Sequence, residues 1–247
     1  MDTISRSFVI PILHLDKEKK YNIFTLLEDL QDIPGEVICI FNSDESYQAL
    51  SSHKRIDKFI HNSVNIGVSR SWNAGINMSE SDVVFVLNAD LHVEQSAVNQ
   101  LEHHLLHLPN AVLVGPEGTI NDYANLEILQ YFKKGNFEQP FRTHDISGFF
   151  FALYKPRFFE HKLQFDVRYS PCFMEEWDMG MQVLTAGMAC YVVPVQGYDH
   201  EWGISGTTEN VPINYMGRVV HRHQILQDNQ QKFLQKWFNT SPDQTLR

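Results

Sequence analysis

Short unbroken apolar runs recur along the first half of the chain: Phe8-Val9-Ile10, Val37-Ile38-Cys39-Ile40-Phe41, Val83-Val84-Phe85-Val86-Leu87 and Ala111-Val112-Leu113-Val114. Runs of this length, rich in β-branched residues, predict buried strands over residues 7–13, 36–41, 82–87 and 111–114, with a shorter one over 58–62. Between them the apolar spacing changes to three and four. Tyr21, Phe24, Leu27 and Leu30 predict a helix over 17–30, and Val98, Leu101, Leu105 and Leu108 one over 96–108. A further helix, 69–78, follows a glycine-bearing loop. Residues 42–44 read as a polar loop. Strands alternating with helices predict an α/β fold with a mostly parallel central sheet and flanking helices.

After Gly115 the pattern loosens. Residues 116–143 mix turns with short apolar stretches. A strand is predicted over 145–154, helices over 156–161 and 176–186, the latter closed by Gly187, and a strand over 189–193. The tail, 214–238, reads as a helix rich in Gln, His and Arg. The chain shows neither an internal repeat nor a linker, which fits one domain with two functional halves. Ligands of such sheets bind beyond the C-terminal strand ends, where Asn42, Asp44, Asn88 and Asp90 fall.

Composition narrows the classes. The 247 residues are 43% hydrophobic, enough for a substantial core. No apolar run approaches the roughly 20 residues that span a bilayer, and residues 1–7 lack a secretory apolar core. Cys39, Cys172 and Cys190 have no metal-type spacing and predict a reduced, cytoplasmic setting. A formal net charge of -10 argues against nucleic acid as a partner. An acidic protein that binds a diphosphate must recruit positive charge locally, and a divalent cation does so compactly.

Three motifs carry candidate chemistry. Asp90, in Asn88-Ala89-Asp90 after a buried strand, can hold a divalent metal against a diphosphate, although Asn and Asp are also ordinary turn residues there. Glu175, Glu176 and Asp178 open a helix. Acids in a first turn suit the helix dipole, yet three of them, with mutual repulsion raising at least one carboxyl, also suit a general base. His200 lies in a polar glycine-containing loop, Tyr198-Asp199-His200-Glu201-Trp202-Gly203, as one of 12 histidines; it can ligate a metal or be merely structural. His103, His104 and His107 read as a solvated helix face. The segment from Asn65 through Gly67 and Arg70 to Asn73 and Gly75 could bring backbone N–H groups to a nucleotide, or be a helix start with close packing at Gly75. It is neither a Walker loop nor a dinucleotide fingerprint.

The order of these motifs resembles family 2 glycosyltransferases of the GT-A fold, especially the bacterial rhamnosyltransferase-like group. The matching residues are Asn65/Gly67 and Asn73/Gly75, Asn88-Ala89-Asp90, Gly148-Phe149-Phe150, Phe165-Asp166, Glu175-Glu176-Trp177-Asp178, and the late series His200, Gly203 and Ser205. The resemblance spans roughly residues 7–206. It implies a GT-A domain over 1–210, with a nucleotide-sugar half (1–115) and an acceptor and catalytic half (116–210), followed by a helical extension over 211–247.

The implied activity is metal-dependent, inverting transfer of a hexosyl or deoxyhexosyl group from a nucleotide-diphosphate sugar to a saccharide or lipid-linked glycan, in polysaccharide or glycoconjugate synthesis. Asp90, with His200, would hold Mn or Mg. Asn42 and Asp44 stand where the family contacts the nucleotide, with Asn65, Gly67, Arg70, Asn73 and Asn88 on the same donor side. Glu176 stands where the family usually has Asp and would be the base; Glu175 and Asp178 would tune it or orient the acceptor. Two other classes compete: a catalytically inactive GT-A-like module that only binds nucleotide-sugar, and a nucleotidyltransferase. The basic and apolar residues of the tail also fit a helix resting on an anionic membrane at its cytoplasmic face, against the alternative of packing on the domain.

Overall fold

The computed structural model describes residues 6–201, 203 and 206–238. Its central sheet uses β1 (Arg6–Ile12), β2 (Glu36–Phe41), β3 (Lys58–His61), β4 (Val83–Leu87), β6 (Ala111–Gly115), β9 (Phe141–Thr143), β10 (Phe150–Tyr154) and β11 (Ala189–Val192), in the order β3-β2-β1-β4-β10-β6-β11-β9. Strands β3, β2, β1 and β4 run parallel, and β11 runs parallel to β6. β10 enters antiparallel between β4 and β6, and β9 closes the far edge antiparallel to β11. Small ribbons lie outside the sheet: β5 (Leu91–Val93) with β12 (Tyr198–His200), β7 (Gly118–Asp122) with β8 (Glu127–Phe132), and β13 (Pro212–Tyr215) with β14 (Arg218–His221).

The continuous apolar runs exist because both faces of the sheet are covered. Phe8, Ile10, Val37, Cys39, Phe85 and Leu87 share one core with α1 (Ile23–Asp29) and α4 (Gln95–His107). Val9, Ile38, Ile40, Val84 and Val86 share the other with α3 (Val68–Met78), α5 (Lys155–Glu160) and α6 (Glu175–Thr185). Helix α3 sits close on β1: a Cβ on Gly75 would lie 2.2 Å from Val9 Cγ1. That close approach is the structural reason for the glycine.

Four expected elements differ. The first helix begins at Ile23, because Asn22 accepts the amides of Phe24 and Thr25 and closes a capping box with Thr25. Residues 44–50, expected to begin as loop, form α2 (Asp44–Leu50), capped by the Ser43 hydroxyl accepting from Ser46 N. The strand expected over 145–154 is regular only from Phe150, because the Asp145 side chain reaches across to Thr119. The tail is not one helix. Met216 and Gly217, with φ of 49° and 74°, turn the β13–β14 hairpin, and only α7 (Arg222–Phe238) is helical.

Helix α7 turns its apolar residues inward. Ile225, Phe233 and Leu234 are buried, and Phe233 joins Tyr123, Tyr169 and Met174 in a satellite core. Among the described residues no helix is long and apolar enough to cross a membrane.

Candidate active site

The first part of the site is built where β4 ends. Asn88 N donates to Phe149 O at 2.8 Å, which ties the strand end to the start of β10. The chain then crosses through Asp90 into β5, whose pairing with β12 sets His200 opposite Leu91. Two residues 110 positions apart are thereby brought together: His200 Nε2 lies 3.2 Å from Asp90 Oδ1. Phe149 stacks on the His200 ring at 4.3 Å, and Asn88 Nδ2 lies 3.5 Å from His200 Nε2. The other Asp90 oxygen faces Lys19 Nζ at 3.4 Å, and Lys19 also pairs with Asp16 at 3.2 Å. Lys19 sits in the turn before α1 and was missed from sequence, where it read as one more polar position of a helix. Ser205, the last residue of the His200 series, lies outside the described residues.

The Asp90–His200 pair fits a divalent cation, though not as a complete cage. Bonds of about 2.1 Å to adjacent octahedral positions put two ligands about 3 Å apart, close to the observed 3.2 Å. Among the described residues no group of three or more His, Cys, Asp or Glu side chains could hold a metal. Asp90 and His200 would supply two donors to such a cation, the rest of its shell coming from substrate and water, as Mg sites on phosphates commonly have it.

The second part lies at the start of α6. Glu175 is buried, and its Oε2 makes no hydrogen bond. Burial, then the charge of Glu176 beside it, hold its carboxyl well above the ordinary range. Glu176 is half-buried beside Gly148, whose amide favours its charged form, and it is pushed up to about 7, chiefly by burial and then by buried Asp145. Gly148 leaves room for this carboxylate: a Cβ there would stand 2.5 Å from Glu176 Oε1 and 2.6 Å from Trp72 Cη2. Asp145 is itself raised by burial and accepts from Thr119 N, Thr119 Oγ1 and Asn121 Nδ2 at 2.8, 2.7 and 2.9 Å. No spacing in the sequence linked Asp145 to Glu176; only the fold does.

Phe173 and Met174, the two residues before α6, both adopt left-handed backbone with φ of 74°. Each such non-glycine residue costs about 1–3 kcal/mol and persists only where its surroundings over-determine it.

Asp178 stands apart from its two neighbours. It is fully buried and accepts from Lys236 Nζ at 2.7 Å, Trp237 Nε1 at 2.8 Å, Gln182 Nε2 at 2.7 Å and Tyr169 OH at 3.2 Å. A carboxylate so saturated joins α6 to α7 and has no oxygen left for an acceptor. The other donor-side residues divide in the same way. Asn73 pairs with the backbone of Phe165 through Nδ2 and Oδ1 at 2.7 and 3.1 Å. Asn65 accepts from Gly67 N at 2.9 Å and donates to Asn214 O at 2.9 Å. Arg70 Nη1 donates to Ser170 Oγ at 2.8 Å and Tyr215 OH at 2.7 Å. These side chains hold the loop before α6 and the β13–β14 hairpin against α3. Asn42 is buried and donates to Ser71 Oγ at 3.0 Å. Asp44, the first residue of α2, is exposed and lies 2.8 Å from His61 Nε2 on the edge strand β3, and the His61 ring stacks on Tyr47 at 4.0 Å.

Residues 24–160, more than half of the chain, match the family model described as glycosyl transferase family 2. The chain belongs to this family. No curated protein matches it. Solved structures share the GT-A fold at low identity. GalNAc-T7, crystallised with UDP, GalNAc and Mn2+, superposes with a TM-score of 0.69 at 12% identity, over 96% of this chain and 48% of that one. S. aureus TarS gives 0.55 at 13% identity, over 78% of this chain and 36% of that one. Its 1–349 fragment with UDP gives 0.56 at 13% identity, over 78% and 59%. This family member thus spans about half the length, or less, of the two full neighbours. The family match ends at residue 160, before the Glu175–Glu176 pair and His200, which rest on the order of motifs and on the geometry described above.

Proposed function

We propose that this glycosyltransferase moves a hexosyl or deoxyhexosyl group, with inversion, from a nucleotide-diphosphate sugar to a hydroxyl of a saccharide or lipid-linked glycan. The observation that carries the reading is Glu176: a carboxylate seated against Gly148 and poised near neutrality, at the sheet end where ligands of such folds bind. In the reaction Glu176 takes the proton of the acceptor hydroxyl as its oxygen attacks the anomeric carbon. The bond from that carbon to the phosphate oxygen breaks, and the nucleoside diphosphate leaves with the electron pair. Glu175, held above its ordinary range, stays neutral beside Glu176 and spares the pair a second charge. Asp90 and His200 would hold Mn or Mg, which when bound supplies positive charge to the departing diphosphate. Lys19 brings a second positive charge to the same strand end.

UDP is the first nucleotide to test, because it accompanies two of the structural neighbours. Asn42, Asp44 and Asn88 are the donor contacts we favour; Asn65, Gly67, Arg70 and Asn73 act one step back, holding the wall of the site. Residues 1–210 are read as the catalytic domain, 1–115 its donor half and 116–210 its acceptor half, with 211–247 the extension that buttresses it. We place the enzyme in the cytoplasm, serving polysaccharide synthesis. The burial of Phe233 and Leu234 favours packing of α7 on the domain over membrane contact.

The test is a UDP-sugar screen with manganese and with chelator, read as UDP release and thermal shift. Release that Glu176→Gln abolishes supports the reading. Binding without release would identify an inactive module, and release unaffected by Glu176→Gln would overturn the base assignment. Asp90→Asn should remove the manganese dependence of UDP binding; unchanged affinity in manganese would defeat the metal assignment.

A further inference from the structure

The loop that launches α6 is held by a residue more than fifty positions further along the chain. Asn229, on α7 and 1% exposed, donates its side-chain amide to the carbonyl oxygens of Tyr169, Cys172 and Phe173 at 2.7, 2.9 and 3.1 Å. Its Oδ1 accepts from Lys232 Nζ at 2.8 Å, and Lys232 also donates to Arg168 O at 3.0 Å. The direction of the amide is therefore unambiguous: the NH2 faces three carbonyls and the oxygen faces a cation. The three accepting residues bracket the turn that ends in left-handed Phe173 and Met174. Glu175 and Glu176 follow immediately.

Docking of α7 does not need this amide. Phe233 and Leu234 are buried against the domain, and Lys236 and Trp237 bind Asp178. An apolar residue at 229 would serve a helix that only packs. A buried amide aimed at three carbonyls of one strained turn serves to fix that turn.

We propose that Asn229 is a positioning residue for the Glu175–Glu176 pair. It locks residues 169–174 in the conformation that starts α6 with Glu176 against Gly148. Helix α7 then helps to position the catalytic pair. The inference rests on the reading of Glu176 as base.

The test compares Asn229→Leu, Lys236→Met and Glu176→Gln, read as UDP release from UDP-glucose, UDP-galactose, UDP-GlcNAc and UDP-GalNAc, with UDP affinity and Tm measured alongside. Lys236→Met loosens α7 at a different point. Asn229→Leu should lower kcat at least tenfold with UDP affinity and donor KM within twofold of wild type. Lys236→Met should lower Tm with kcat retained. A wild-type kcat in Asn229→Leu overturns the inference, as does an equal kcat loss in Lys236→Met at equal loss of Tm. Should Asn229→Leu fail to fold, seen as lost UDP binding, Asn229→Ser keeps one hydroxyl donor and is judged by the same two outcomes. Glu176→Gln separates the layers. If it is inactive while Asn229→Leu is normal, the positioning role alone falls. If Glu176→Gln is fully active, or wild type releases no UDP from any of the four sugars, the base reading falls and the positioning role with it.

Discussion

The polar side chains of residues 1–115, the proposed donor half, and of residues 116–210, the proposed acceptor half, are buried in opposite ways. In the donor half the fully buried ones are short and neutral, Ser and Asn, and most are satisfied. Asn73 closes both of its hydrogen-bonding ends on Phe165, and Asn65 accepts from Gly67 N and donates to Asn214 O. In the acceptor half they are acids packed together with few cations. Glu175, Glu176 and Asp145 all sit above the ordinary carboxylate range, chiefly through burial. Satisfied amides build a wall, whereas crowded acids store the readiness to exchange a proton at neutral pH. The two halves meet at one surface, so substitutions in the first should change stability and substitutions in the second should change chemistry.

The largest expected effect lies in the second class. Glu176→Gln keeps size and removes only proton acceptance. It should lower kcat by roughly 10²–10⁴-fold with UDP affinity unchanged. A change in affinity and not in kcat would put Glu176 on the donor side and erase the contrast.

The next tests the boundary. Asp178 lies in the same acidic run, yet Lys236 balances its charge and Trp237 donates a hydrogen bond to it. Removing Lys236 leaves a fully buried carboxylate with one cation fewer. For a fully buried pair such loss costs 3–5 kcal/mol; since the Lys236 side chain is 21% exposed, about 2–3 kcal/mol is expected of Lys236→Met. Urea unfolding measures it. A loss of rate at full stability would move Asp178 to the chemical side.

Smaller again is Asn73→Ala. It strands the Phe165 N–H and C=O that the amide now serves. Each buried group left unpaired costs about 1–3 kcal/mol, and partial access of water should bring the total to about 2 kcal/mol. Donor KM of the folded variant should not move. A raised KM would return Asn73 to the nucleotide contacts.

The sequence was most legible where one physical signal dominated. The buried strands showed themselves as apolar runs because both sheet faces are covered, and β2 spans Glu36–Phe41 as its run predicts. The motif at Asn88-Ala89-Asp90 stood out because it follows such a run, and the acids of α6 because three of them share one turn. Three things were hidden. Lys19 reaches Asp90 only because Asn22 starts α1 late. Asp145 and Asn229 act through contacts 31 and 56 or more positions away, which no local period encodes. Asp178 and Glu176, two residues apart, project from different sides of the helix, so the shared turn concealed two roles. The tail misled because helix-compatible residues surround Val219-Val220, and the Gly217 turn decided for a hairpin.

The most gradual expected effect, smallest at any one pH step, is on stability against pH, and it sets the two halves apart without a ligand. Glu176 has a folded pKa of about 7, above its ordinary value of 4.5; Glu175 is shifted in the same direction. A carboxyl raised in the folded state binds its proton more tightly folded than unfolded. Its contribution is fully present below the unfolded pKa and is lost as pH rises through the folded one. Stability should therefore fall between about pH 5 and pH 7.5, by roughly 1 kcal/mol per pH unit for Glu176 alone. Glu176→Gln, which cannot ionise, should flatten that slope, while Asn73→Ala should lower the whole curve and leave its slope intact. Urea unfolding of the three proteins at pH 5.5, 6.5 and 7.5 provides the slopes. A slope unaltered by Glu176→Gln would mean that the carboxylate is already solvated and that the acceptor half buries its acids no more tensely than the donor half buries its amides.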